Sequence, residues 1–163
     1  MCKRLIPFLS RALLLACMVV GGGAYAADAG PAIKPGDTPV LPALTTLDGK
    51  GLNPASWRGK VVVISYFASY CPFCANEAPK LQKLYSKNMD KLIVIGVNIE
   101  TKDPQQKDKA QKWVQKYQLT HPVTTDYLAL ERVLGKRQGL PVNYVFDKRG
   151  MLRRVDVGEI FDE

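Results

Sequence analysis

Two stretches of this chain, Val61–Phe67 and Leu92–Asn98, are nearly unbroken runs of β-branched, aliphatic and aromatic residues. A run without polar alternation suits a strand buried on both faces, and such strands need helices above and below the sheet. Between the runs, Ala75, Ala78, Leu81, Leu84 and Tyr85 recur at helical spacing, which predicts a helix from about Pro72 to Ser86. Pro79 lies inside that helix and is expected to kink it. Strand, helix and strand in this order form a βαβ unit, with parallel strands and a right-handed crossover.

The flanking segments add antiparallel pieces. Val40–Thr46 and Lys50–Leu52 surround Asp48-Gly49, a hairpin signal. Asn53-Pro54 reads as an N-cap followed by proline at the first helical position, opening a short turn through Trp57. Asp103-Pro104 repeats that signal and predicts a helix to about Gln118, with Ala110, Trp113, Val114 and Tyr117 on one face. Asp126 opens a shorter helix to about Leu134. Val142–Asp147 and Met151–Val157, joined by Lys148-Arg149-Gly150, form a closing hairpin. The expected fold is α/β, a mixed central sheet with helices on both faces and an N-terminal hairpin.

The first 26 residues read as an export signal. Lys3, Arg4 and Arg11 form a positive start, Ala12 to Val20 is apolar, and Ala24-Tyr25-Ala26 has the small-x-small form of a cleavage site. The apolar run is about 15 residues, short of the ~20 that span a bilayer, which favours cleavage after Ala26 over a retained anchor. Leu14-Leu15-Ala16-Cys17 also resembles a lipobox, but the segment beyond Cys17 stays apolar, against a lipoprotein form. Residues 27–36, rich in Gly, Pro and Ala, read as a linker, leaving residues 37–163 as one domain. Three of the eight net positive charges lie in the signal, leaving +5 over the rest, a weak case for nucleic acid as a partner.

The signal changes the cysteine arithmetic. Cys2 and Cys17 leave with it, and the exported domain keeps Cys71 and Cys74 alone. A bridge across three positions closes too small a loop to staple a fold, so the pair is expected to serve chemistry. Cys71 falls where the first buried strand ends and the helix begins. The unpaired N–H groups and positive dipole end of a helix favour a thiolate there. Cys74, three residues on, shares its helix face. This predicts Cys71 as the exposed attacking sulfur and Cys74 as the sheltered resolving thiol in thiol–disulfide exchange through a mixed disulfide. A structural zinc site needs two further ligands at fitting spacing, and of His and Cys only His121 remains; no metal and no cofactor is expected.

The stretch Gly59-Lys60-Val61 through Cys71-Pro72-Phe73-Cys74 resembles the active-site strand and turn of thioredoxin-like proteins, most closely the exported TlpA/ResA/CcmG-like disulfide reductases. The resemblance continues through Glu77-x-Pro79, Val94–Asn98, His121-Pro122-Val123 and Gly139-Leu140-Pro141, covering residues 36–157. It implies a redox-active Cys71–Cys74 disulfide, a cis Pro141 beside the pair, and Glu77 as a partly buried acid that takes the Cys74 proton. It further implies a client-binding surface from Tyr70, Pro72, Phe73, Leu140 and Pro141. Tyr70 replaces the family's usual Trp, and Ser65 stands where cytosolic thioredoxins carry a buried Asp, which leaves Glu77 as the candidate proton relay. The family's closing helix has only Gly158 to Glu163 to form it, so one sheet face is expected to be less covered.

The expected protein is a monomeric thiol–disulfide oxidoreductase of the periplasm. It is expected to reduce cysteine-containing exported proteins, with apocytochrome c or copper-site proteins as client classes and a membrane donor of the DsbD/CcdA type supplying electrons. A thiol oxidase or isomerase is the alternative within the class. From another class, a copper-binding chaperone could use the same two thiols. His121, Trp113 and Tyr117 read as packing residues, and the Lys102–Lys116 charges as a solvated helix face.

Overall fold

The computed structural model describes residues 33–100 and 103–159, and the expected signal peptide lies outside them. The elements are β1 (Leu44–Thr45), β2 (Gly51–Leu52), a 3-10 turn (Pro54–Trp57), β3 (Val61–Phe67), α1 (Pro72–Lys87) and β4 (Leu92–Asn98). They continue with α2 (Gln106–Lys116), β5 (Val123–Thr124), α3 (Tyr127–Leu134), β6 (Val142–Phe146) and β7 (Leu152–Val157). The five-stranded sheet runs β5-β4-β3-β6-β7, with β1 and β2 forming a separate two-stranded sheet. Strands β3, β4 and β5 are parallel, while β6 and β7 are antiparallel to their neighbours. This is the thioredoxin-like fold, with the mixed sheet and N-terminal hairpin expected of the sequence. Among the described residues no helix is long and apolar enough to cross a membrane.

Strand β3 is central and its alternation divides the core. Ile64 and Tyr66 point into a cluster with Leu130 and Leu134 of α3, Trp57, Tyr144, Phe146 and Leu152. Val63 packs with Leu81 of α1 and Val94, and Phe67 joins Ala78 and Trp113 on the same side. Helix α3 thus covers one face, and α1 and α2 the other. Burying each such aliphatic or aromatic side chain contributes about 1.5–3 kcal/mol, which is what holds the two wholly buried strands at the sheet centre.

Local signals hold with informative shifts. Asn53 caps the 3-10 turn by accepting the Ala55 N–H at 3.0 Å. Helix α2, by contrast, starts at Gln106 rather than after Asp103, and no side chain caps its start. Asp103 is used one turn earlier, where its Oδ1 accepts the Gln105 N–H at 2.8 Å and its Oδ2 pairs with Lys109. The same helix stops at Lys116, short of Gln118, because Gln118 takes the left-handed conformation (φ 51°) and Leu119 N–H returns to the Val114 carbonyl at 3.0 Å. Asp126 stands at the N-cap of α3, yet its carboxylate accepts the Thr45 N–H of the hairpin at 2.6 Å instead of capping the helix. The predicted hairpin strands shrink to two residues each, and the hairpin docks on β5 through a Thr46–Thr124 bridge. That contact covers an otherwise open sheet edge.

Candidate active site

The C-terminal end of β3 leads through Ala68-Ser69-Tyr70 into Cys71, the N-cap of α1. Cys71 N–H donates to the Ala68 carbonyl at 3.1 Å, which folds these residues into a turn. The Cys71 backbone is extended (φ −87°, ψ 115°), and its Sγ accepts the Cys74 N–H at 3.2 Å. The sulfur therefore occupies the place an N-cap oxygen takes at other helices, facing the unpaired amides and positive dipole end. Pro72 at the first helical position gives up no hydrogen bond there, since that amide has no helical partner.

Cys71 is not the exposed sulfur that the sequence predicts: it shows only 7% of its surface, against 2% for Cys74. Its capping role turns the sulfur in toward the helix. The exposed groups are its neighbours: Tyr70 is 71% and Phe73 55% exposed. Burial, reinforced by the hydrogen bond that the Cys74 S–H donates to the Cys71 sulfur and by the charges of Cys71 and Glu77, pushes the Cys74 thiol well above its ordinary range.

Strand β6 brings the next group. The Leu140–Pro141 peptide is cis, as the resemblance implies. Tyr66 pairs with Val142 across the antiparallel ladder, so Pro141 falls opposite the end of β3, at the edge of the cysteine turn. Leu140 packs against the cluster that contains both cysteines. Tyr70, Pro72, Phe73, Leu140 and Pro141 thus lie at one end of the sheet.

Glu77 is 2% exposed on α1, and its Oε1 accepts the Asn143 side-chain N–H at 2.8 Å. Asn143 is itself wholly buried and pairs with Ser65 in the sheet. Ser65, Cys74, Glu77 and His121 line a small cavity of about 20 Å3 behind the cysteine pair. Ser65 is small, so the Glu77 carboxyl has room where a strand carboxylate would otherwise compete. Asn143 was not singled out in the sequence. The signal that points to it is its position two residues after Pro141, on the same strand that frames the pair.

His121 also has more to it than a loop residue. Its imidazole forms a wall of the cavity shared with Cys74 and Glu77, and Nδ1 lies 3.1 Å from the Pro122 carbonyl. Gly96 makes the space for it: a Cβ there would stand 3.3 Å from His121 Cε1 and 3.2 Å from Val123 Cγ2. Burial lowers the imidazole pKa and keeps it neutral. In the unfolded chain the same group takes a proton near pH 6.5. The unfolded state therefore binds more protons just below that pH, and stability falls as pH drops through about 6.5. His121→Phe is expected to shrink the loss of urea midpoint between pH 7 and pH 5. Parallel pH dependences in the two proteins would reject this.

A groove of about 690 Å3 lies between the hairpin and α2, with His121 and Tyr85 in its wall. A second, of about 650 Å3, runs beside the cysteine turn between Tyr70, Lys109, Tyr127 and Arg137.

Comparison with known proteins agrees with this geometry. The Redoxin family matches residues 26–161. The chain is 28% identical over 116 residues to the thioredoxin-like protein YneN of Bacillus subtilis, covering 71% of this chain and 67% of that one. It is 30% identical over 119 residues to the thiol-disulfide oxidoreductase ResA of Bacillus thuringiensis, covering 71% of this chain and 65% of the relative. It thus spans about two thirds of the length of these relatives. Among solved structures, a secreted Mycobacterium tuberculosis disulfide oxidoreductase homologous to Escherichia coli DsbE superposes with a TM-score of 0.57 at 25% identity, covering 69% of this chain and 80% of that one. With a cysteine pair at a helix N-terminus, a cis proline opposite it and a family match over most of its length, the chain belongs to the Redoxin family, on its TlpA/ResA/CcmG-like thioredoxin-like branch.

Proposed function

We propose that this protein is a thiol–disulfide oxidoreductase that reduces disulfides of exported proteins. The observation that carries this reading is the asymmetry of the pair. Both sulfurs are largely buried, but one caps a helix N-terminus between exposed Tyr70 and Phe73, while the other lies one turn deeper with its thiol held protonated. Cys71 thiolate attacks one sulfur of a client disulfide, forming a mixed disulfide and expelling the other client sulfur as a thiolate. Cys74 then yields its proton to the Glu77 carboxylate and attacks the Cys71 sulfur. The Cys71–Cys74 disulfide forms and the second client thiolate leaves. Two electrons pass to the client, and its two sulfurs gain protons, one by way of Glu77 and one from solvent.

Tyr70, Phe73 and Leu140 supply apolar surface around the reacting sulfur, and the backbone flanking Pro141 supplies polar groups to an extended client strand. The secreted setting of the M. tuberculosis relative supports export of this chain by residues 1–26. Periplasmic location, a cytochrome c or copper-site client and a membrane dithiol donor of the DsbD/CcdA type complete the proposal. Equilibration of the purified protein with dithiothreitol tests the direction. A reductase is expected to hold its disulfide against glutathione and to reduce insulin with dithiothreitol as donor. A pair that stays reduced in oxidised glutathione, and oxidises reduced client peptides, would make it an oxidase instead.

A further inference from the structure

Glu100 carries no role in the exchange chemistry above, yet its carboxylate accepts three hydrogen bonds beside the cysteine turn. Its side chain is 6% exposed. Oε2 accepts the backbone N–H of Ser69 at 2.8 Å and the Asn98 amide N–H at 2.8 Å. Oε1 accepts the Ser69 hydroxyl at 2.8 Å, and Lys109 Nζ stands 3.9 Å from the same oxygen. Asn98, wholly buried at the end of β4, returns the bond by accepting the Glu100 N–H at 3.0 Å. Ile99 N–H donates to the Phe67 carbonyl at 3.2 Å, which ties the ends of β3 and β4 together just before the turn.

The consequence lies two residues downstream. Ser69 is the second residue of the turn that ends at Cys71, and both its donors are spent on Glu100. A turn held at its middle by two charge-assisted bonds cannot rotate freely, so the extended backbone of Cys71 and the direction of its sulfur toward the Cys74 N–H are set before a client arrives. Tyr70, exposed and without a packing cluster of its own, is held over the groove by the same anchor. A surface acid that merely made the loop soluble would not need to be buried and engaged by a backbone N–H, a hydroxyl and an amide.

We infer that Glu100 is a positioning residue for the redox turn: it acts through Ser69 to hold Cys71 in its attacking geometry. This deepens the oxidoreductase reading and rests on it. The expected requirement is for shape and hydrogen bonding rather than for charge. A glutamine at the position keeps an oxygen for the Ser69 and Asn98 N–H groups, and its amide can donate to the Ser69 hydroxyl. An alanine keeps neither.

The test measures alkylation of Cys71 by iodoacetamide at pH 7 in a Cys74→Ser background, alongside reduction of insulin by otherwise wild-type protein. Thermal unfolding confirms that each variant is folded. E100A is expected to slow both reactions about tenfold, E100Q to stay within about twofold of the parent, and S69A to fall about threefold. Folded E100A reacting at the parent rate would overturn the inference. So would E100Q losing as much as E100A, since the charge alone would then matter. If E100A does not fold, S69A decides: parent-like rates reject the anchor. Should the parent fail to reduce insulin, the oxidoreductase reading falls, while the alkylation series still judges the anchor.

Discussion

Cys74→Ser is expected to accumulate mixed disulfides with client proteins, whereas Cys71→Ser is expected to trap almost none and to lose exchange on the order of a thousandfold or more. The asymmetry follows from position. Cys71 caps α1 in the turn flanked by exposed Tyr70 and Phe73, and at 7% exposed it is the more accessible of the two cysteines. Cys74 lies one turn inside, 2% exposed, and burial holds its proton. Without Cys74 the first attack still occurs, but nothing displaces the client from Cys71. Without Cys71 the remaining thiol is neutral and out of reach. Non-reducing gels of cell envelopes and mass spectrometry of the adducts check this. Equal trapping by both variants would reject the assignment.

Glu77→Gln should lower the pH at which Cys74 ionises and slow exchange by about tenfold to a hundredfold. The charge of Glu77 is among the causes that raise the Cys74 thiol, so removing it makes the thiolate less costly. The variant also removes the base that takes the Cys74 proton, and positioned proton transfer contributes about a hundredfold or more. The two effects oppose each other, and the loss of the base wins wherever attack by Cys74 limits the rate. Folding should change little, since a glutamine oxygen can still accept from Asn143 Nδ2. Thiolate absorbance near 240 nm, followed across pH in both proteins, is the measurement. Superimposed titrations would assign Glu77 a packing role and leave proton transfer to water.

Much of the fold is legible in the chain because β3 and β4 declare themselves by composition alone. A seven-residue run with no polar face has one stable place, the sheet centre, and the amphipathic segment between the two runs must then cross over as α1. Positions of β6, β7 and the cysteine turn follow from that frame. Element starts are less legible. Asp103 and Asp126 carry the same capping chemistry as Asn53, but their carboxylates are drawn to Lys109 and to Thr45 N–H. A local capping signal cannot say which competing donor the tertiary fold will bring within reach.

The candidate site divides in the same way. Cys71 and Cys74 are read from spacing at a strand-to-helix junction, because one turn of helix fixes their relation without any distant contact. Pro141 and Glu77 come from the family resemblance, and only the sheet register sets Pro141 across from β3. The Glu100–Ser69 and Glu77–Asn143 bonds are beyond a local reading of the sequence, since each joins residues far apart along the chain. Glu100 reaches Ser69 across 31 positions and Glu77 reaches Asn143 across 66. By itself the sequence determined the layered α/β architecture and the placing of two cysteines at one helix start, since both depend on hydrophobic periodicity and helix geometry over a few residues. The burial of Cys71, the anchoring of its turn and the polar pocket behind Cys74 were decided by tertiary structure alone, because burial and hydrogen-bond partnership belong to groups that meet only when the sheet has closed.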